Sequence, residues 1–235
     1  MMSNSPRPKF ILLIVLLLGV ATPGQQPSPS PAQSPAPQAA LAVEEWSDEF
    51  DGQALDPDKW ERFTFEGGGG GKAEVSGGQL RMRGMGGSRA GVRSKPTFTS
   101  DRFIVEATIA EVGASMPEPG QTNAPPGNAI ITILFDGAGR NRIEWLLTSD
   151  GRLEAWSIVD GKGERLDNRK LGTKVGNPTL SIARKGDDYF FMLNGEIGLQ
   201  KNIKNMPRAF RVMLYGFGSS ENDWDSVKVV VPKKK

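Results

Sequence analysis

Arg142, Glu144, Trp145, Trp156 and Ser157 are the residues whose types and spacing come nearest to a site. They flank Asp150-Gly151, a dipeptide suited to a two-residue type I′ turn, in which both central residues take positive φ. With that turn Ser149 faces Arg152, Leu147 faces Glu154, Trp145 faces Trp156 and Ile143 faces Ile158. Trp145 and Trp156 then share a face. Neighbouring indoles can stack against the apolar faces of pyranose rings. They can equally pack in a core, as Ile143, Leu147 and Ile158 beside them suggest. The opposite face carries Arg142, Glu144, Leu146, Ala155 and Ser157. Arg142, Glu144 and Ser157 would bind ligand there if that face is a groove; otherwise it is an ordinary solvated sheet face.

What surrounds these residues narrows the chemistry. The 235-residue chain has no His and no Cys. That removes disulfides, thiolate or imidazole metal sites, Cys nucleophiles and every mechanism with a His base. Any base must be a carboxylate, Lys or Tyr, and any metal site must use oxygen ligands, which favours calcium over zinc. Arg7 and Lys9 are the only charges before Glu44, leaving 27 of each sign in the remainder. A balanced charge argues against a nucleic-acid surface, which needs a basic excess to displace counterions.

The elements that must position the site are short. Runs rich in Val, Ile, Leu, Phe and Trp alternate with Gly, Asn, Asp and Pro, and no stretch keeps a helical period. This predicts an all-β, two-sheet antiparallel sandwich over 43–232. Strands are expected near 43–50, 60–65, 79–83, 91–94, 103–112, 129–135, 142–148, 152–159, 179–184, 189–193, 210–216 and 223–231. Gly67 to Gly71 before Lys72 is not a phosphate loop, because Glu66 and Ala73 stand where Gly and Ser or Thr are needed. Asp160 to Glu164 is not an EF-hand, because Lys162 and Arg165 break the pattern, and it reads as a loop between strands.

Arg7 and Lys9 before the apolar run Phe10 to Val20, with small Gly19 and Ala21 three and one positions before a possible cut, have the layout of a signal peptide over 1–21. The run is shorter than the ~20 residues that span a bilayer. The expected location is secreted, periplasmic or cell-surface, with membrane attachment only through an uncleaved leader. Residues 22–42 are dominated by Pro, Ser, Gln and Ala, a semi-extended linker. Lys233 to Lys235 form a basic tail.

The stretch Trp46-Ser47-Asp48-Glu49-Phe50-Asp51-Gly52, with Leu55-Asp56 and Lys59-Trp60, resembles the start of the laminarinase-like family 16 glycoside hydrolases. Asp225-Ser226-Val227-Lys228-Val229 is similar to their closing strand. Ser181 to Arg184 with Tyr189 to Gly195 resembles the strand and hairpin of laminin-G-like domains. The resemblance implies a concanavalin A-like jelly roll of the lectin and glucanase superfamily.

The hydrolase signature is Glu-x-Asp-x-x-Glu. Its nearest match here, Arg142 to Leu147, puts Arg142 in the nucleophile's place and Leu147 in the acid/base's, with Glu144 alone acidic. The resemblance also implies a structural calcium at Glu49 and Asp225, helped by backbone carbonyls. The leading expectation is an exported, non-catalytic domain binding a polysaccharide or other glycan. The alternatives are a hydrolase or lyase using other carboxylates, for example in the loop Glu111 to Asn128, as in superfamily members such as the 3-keto-disaccharide hydrolases, or a laminin-G-like module with an envelope protein as partner.

Overall fold

A computed structural model describes residues 42–65, 71–83, 90–115, 122–123, 125–172, 176–218 and 220–233. The expected signal peptide, nearly all of the linker, most of the loop 66–71, part of the loop 111–128 and the end of the basic tail lie outside the described residues. The strands in chain order are β1 (Val43–Asp48), β2 (Trp60–Thr64), β3 (Lys72–Val75), β4 (Leu80–Arg83), β5 (Ala90–Ser94), β6 (Phe98–Thr99), β7 (Arg102–Val112) and β8 (Asn128–Leu134). They continue with β9 (Arg142–Thr148), β10 (Arg152–Val159), β11 (Lys162–Lys170), β12 (Thr179–Lys185), β13 (Asp188–Leu193), β14 (Glu196–Asn202), β15 (Ala209–Tyr215) and β16 (Glu221–Pro232).

These strands form two eight-stranded antiparallel sheets. The first runs β14-β13-β12-β7-β16-β4-β3, with β1 also paired to β16; the second runs β11-β10-β9-β8-β15-β5-β2, with β6 also paired to β15. Period-two alternation builds the space between them. On β7, Phe103, Val105, Ala107 and Ile109 are buried while the residues between them are not. Ile131 and Ile133 of β8, Trp145 of β9 and Val212 and Leu214 of β15 join them in the main core. The architecture is the expected jelly-roll sandwich.

The opening motif closes one end of this core. The buried Asp48 carboxylate accepts the indole N–H of Trp60 at 2.7 Å and the backbone N–H of Phe50 at 3.0 Å. Phe50 takes the unusual φ of 51°, and Trp46 meets Trp60 edge-on at 5.2 Å. One carboxylate thus fixes both the turn and the aromatic cluster.

Four strands escape sequence reading, and three of them, β3, β11 and β14, end the strand order of a sheet. β11 (Lys-Gly-Glu-Arg-Leu-Asp-Asn-Arg-Lys) and β14 are mostly exposed edge strands. Edge strands carry charges that discourage further pairing, so they lack the apolar alternation that marks interior strands. β3 and β6 are only four and two residues long. The expected loop at Asp160 shrinks to a two-residue turn, with Asp160 and Gly161 at φ 51° and 81°, and β11 begins at Lys162.

Candidate functional site

The β9–β10 hairpin orders the site, and its register differs from the sequence expectation by one residue. Glu144 pairs with Trp156, Trp145 with Ala155, and Ile143 with Ser157. The loop holds three residues, Ser149, Asp150 and Gly151. Only Gly151 enters the left-handed region, at φ 79°, so a type I′ turn is excluded. The Gly151 N–H donates to Thr148 O at 2.9 Å, and the Arg152 N–H to Thr148 Oγ1 at 2.9 Å. Gly151 suits the left-handed third position of such a loop as well as the second position of a type I′ turn. The dipeptide alone therefore could not decide the register.

A one-residue slip in a strand moves every side chain to the other face. The expected pairing of Trp145 with Trp156 is therefore wrong. Trp145 is fully buried between the sheets, its Nε1 donating to Met192 O at 2.9 Å and its ring against Phe191. It cannot stack on a ligand. Ser157 and Ala155 are also buried opposite Ile143 and Trp145, so Ser157 leaves the expected ligand-binding set. Trp156 instead joins Arg142 and Glu144 on the outer face of the second sheet, together with Glu154.

That face bears a groove of about 440 Å³. Its floor includes Glu144, 6 % exposed, whose Oε1 accepts Arg142 Nε at 2.5 Å and the Tyr215 hydroxyl at 2.7 Å. Arg142 also donates to Gly139 O and lies 4.6 Å from the centre of the Phe65 ring. The Gly139 loop is tied by Asp136, which accepts the Arg140 and Asn141 N–H groups at 3.0 and 2.6 Å and Asn141 Nδ2 at 2.9 Å. Burial alone would raise the Asp136 pKa. The donated hydrogen bonds outweigh it and hold the carboxyl below its ordinary value.

Glu154 Oε2 accepts the Trp156 indole N–H at 3.0 Å. Half-buried Trp156 forms one flank, with the Arg165 guanidinium 5.8 Å from its ring centre. Phe217, 47 % exposed, borders the groove from the chain following β15. Sequence reading missed Glu154, Tyr215 and Phe217. Glu154 was legible from the three-residue loop, whereas Tyr215 ends β15 and Phe217 lies just beyond it, far along the chain from β9 and β10, and only the fold decides their neighbours.

Beside the groove, Phe65, Ile130, Leu134, Leu146, Met213 and Tyr215 form a second apolar cluster on the same outer face. Beyond it Glu61 accepts Arg93 at 2.6 and 2.9 Å and Arg211 at 2.7 Å. The Arg93 hydrogen bond, reinforced by both guanidinium charges, holds the Glu61 pKa below its ordinary value against a smaller opposing effect of burial. A larger cavity, about 550 Å³, opens where the sandwich ends, beside Glu111, Asp150 and Lys170. Its walls at Ile109 and Leu147 belong to the main core, so it is an opening between the sheets and lies off the face that gathers aromatics and carboxylates.

The pairings of β9 with β8 and β10 are unbroken by any bulge. Alternation therefore sends Arg142, Glu144 and Leu146 to the groove and Ile143, Trp145 and Leu147 to the core. Leu147, in the acid/base's place by the resemblance, is a buried core residue. The paired carboxylates of retaining hydrolysis, ~5 to 5.5 Å apart, are not formed on this strand.

At the β1 and β16 end, Glu49 is exposed and Asp225 half-buried, its Oδ1 accepting Gln79 Nε2 at 2.9 Å. Among the described residues no three or more acidic side chains gather as a metal cluster. Glu49 and Asp225 alone do not make a calcium cage; any calcium there would take most of its ligands from backbone carbonyls.

No protein-family model matches the chain, and no curated protein matches it in sequence. Solved structures do match in shape. The laminarinase of Rhodothermus marinus aligns over 83% of this chain and 99% of its own, with a TM-score of 0.61 at 13% identity. LamA from Z. galactanivorans, in complex with laminaritriose and laminaritetraose, aligns over 82% and 100% with a TM-score of 0.60 at 15% identity. The Bacillus licheniformis beta-glucanase aligns over 84% and 100% with a TM-score of 0.59 at 10% identity. The chain thus has the concanavalin A-like jelly-roll fold of these glucanases. At such identities the likeness is one of fold.

Proposed function

We propose that this chain is an exported, non-catalytic glycan-binding domain that holds a neutral polysaccharide in the groove of Glu144 and Trp156. One observation carries the reading: two carboxylates, Glu144 and Glu154, share a groove with an aromatic flank at Trp156 and an exposed aromatic at Phe217. Sugars need both partners, acceptors for their hydroxyls and flat apolar surface for their ring faces. Arg142 is committed to Glu144, and with Arg165 nearby the groove has no cationic excess, which disfavours an anionic glycan. The fold's occurrence in laminarinases, one with laminari-oligosaccharides bound, supports a glycan as ligand. Signal-like residues 1–21 support export, and the absence of a second carboxylate on β9 supports binding without cleavage. A weak, carbonyl-based calcium site near Glu49 and Asp225 belongs to the same reading.

The test is affinity electrophoresis of the full chain against soluble β-glucans, xylans and galactans, each also assayed for new reducing ends. Retardation by one class, lost in Trp156→Ala and without product, is the expected result. No retardation by any of them overturns the reading. Release of product abolished by Glu144→Gln or Glu154→Gln would replace it with hydrolysis by a cross-strand carboxylate pair.

A further inference from the structure

Phe217 is one of few large apolar side chains left exposed among the described residues, yet its backbone is held unusually firmly. Its N–H donates to Asn128 Oδ1 at 2.7 Å. Its carbonyl accepts Asn128 Nδ2 at 3.2 Å and Ser220 Oγ at 2.6 Å. The Asn128 side chain thus meets both backbone polar groups of one residue, as a neighbouring strand would. Behind it, Asn128 Nδ2 also donates to the buried Ser220 Oγ at 2.9 Å, and Asn222 Nδ2 donates to Asn128 O at 3.0 Å. Gly216 lets the chain pass this network, since a Cβ there would come within 2.5 Å of Asn222 Nδ2. Such anchoring fixes where the half-exposed ring stands before any ligand arrives. The ring then meets a ligand without first being ordered, and ordering a side chain and loop on binding costs affinity.

The ladder gives the distance from Phe217 to the other aromatic flank. Trp156 pairs with Glu144, Glu144 with Thr132, and Thr132 with Met213, and Phe217 follows Met213 by four residues. Three strand spacings of ~4.8 Å and four residues of ~3.3 Å separate the two backbones by roughly 15–20 Å, less where the sheet curves. One unit of an extended β-linked glycan is comparable in length to one strand spacing. Resting on the glycan-binding reading above, we propose that Trp156 and Phe217 mark the two ends of a site for an oligosaccharide of about four units, with Asn128 as the residue that positions Phe217. The ligand class is thereby an extended neutral chain, recognised internally, and single sugars or disaccharides occupy only part of the site.

The experiment measures affinities of the full chain for laminari-, cello- and xylo-oligosaccharides of two to six units by isothermal titration. In the series that binds, affinity rises up to four or five units and then levels. Phe217→Ala removes about tenfold of the gain between two and five units, so its loss grows with chain length. Phe217→Trp restores the gain. Asn128→Ala loses the same increment, growing with chain length in the same way, a pattern that general destabilisation would not give. If longer chains bind no better than disaccharides, or if Phe217→Ala matches the parent at every length, the two-ended site is overturned and glycan binding stands. Binding of none of the three series overturns the site, and if no polysaccharide of the panel above is retarded either, the glycan reading falls with it.

Discussion

Removing the Glu144 carboxylate tests whether the groove floor is the charged unit that its geometry describes. Arg142 and Glu144 side chains are only 11% and 8% exposed, and Glu144 Oε1 accepts both the Arg142 guanidinium and the Tyr215 hydroxyl. Glu144→Ala leaves a buried guanidinium with one carbonyl as its hydrogen-bond partner and removes the carboxylate that accepts the Tyr215 hydroxyl. Breaking a buried pair from one side costs about 3–5 kcal/mol, against which exposed pairs cost under about 1. In a domain of this size each kcal/mol is roughly 2–4 °C, so Tm falls by about 6–20 °C. Glu144→Gln keeps an acceptor but loses charge assistance, and about 1–2 kcal/mol is expected. Replacing the pair together, Arg142→Met with Glu144→Leu, comes close to neutral, because both desolvation penalties vanish. Urea unfolding with unchanged slope supplies these values, and the double-mutant cycle supplies the coupling. A cost below about 1 kcal/mol for Glu144→Ala, or additive single and double variants, would refute the buried unit. In affinity electrophoresis Glu144→Gln also weakens polysaccharide retardation; retention of full affinity would move the ligand off this floor.

Two further outcomes follow from the same structure. Glu61, whose folded pKa lies below its ordinary 4.5 because of Arg93 and Arg211, contributes stability that is present above pH 4.5 and lost as pH falls through the lower folded value. Stability of the parent therefore drops below about pH 4.5 more steeply than that of Glu61→Gln, as acid titrations of Tm will show; identical curves would remove the Glu61 contribution. At the β1 and β16 end, a carbonyl-rich calcium site with a dissociation constant of ~10⁻⁴ to 10⁻³ M gains about 1.4–2.7 kcal/mol from 10 mM calcium. Tm then rises by about 3–10 °C and EDTA reverses the rise. A Tm unmoved by either would eliminate the site.

Short runs rich in Val, Ile, Leu and Phe at 103–112, 129–135 and 142–148, separated by Gly, Asn, Asp and Pro and without a helical period, were enough to read an antiparallel sandwich. Composition alone excluded imidazole and thiolate chemistry. Arg142 and Glu144 were legible as groove residues because their polarity interrupts an apolar run. The polar edge strands β11 and β14 were not legible, since a strand with one partner and little burial carries charge instead of a pattern.

Only the tertiary structure decided which tryptophan meets the groove. Asp150-Gly151 permits two loop lengths that differ by one residue, and that difference exchanges the faces. The choice falls to the core, which takes Trp145 between the sheets with Ile143, Leu147, Leu153 and Ala155 and leaves Trp156 beside Glu144. The second half of the site is still less local. Tyr215, Phe217 and the Asn128 that anchors Phe217 converge because β15 pairs with β8, a contact between residues 77 to 85 positions apart. No short window of sequence contains that pairing, and the groove exists only where it is made.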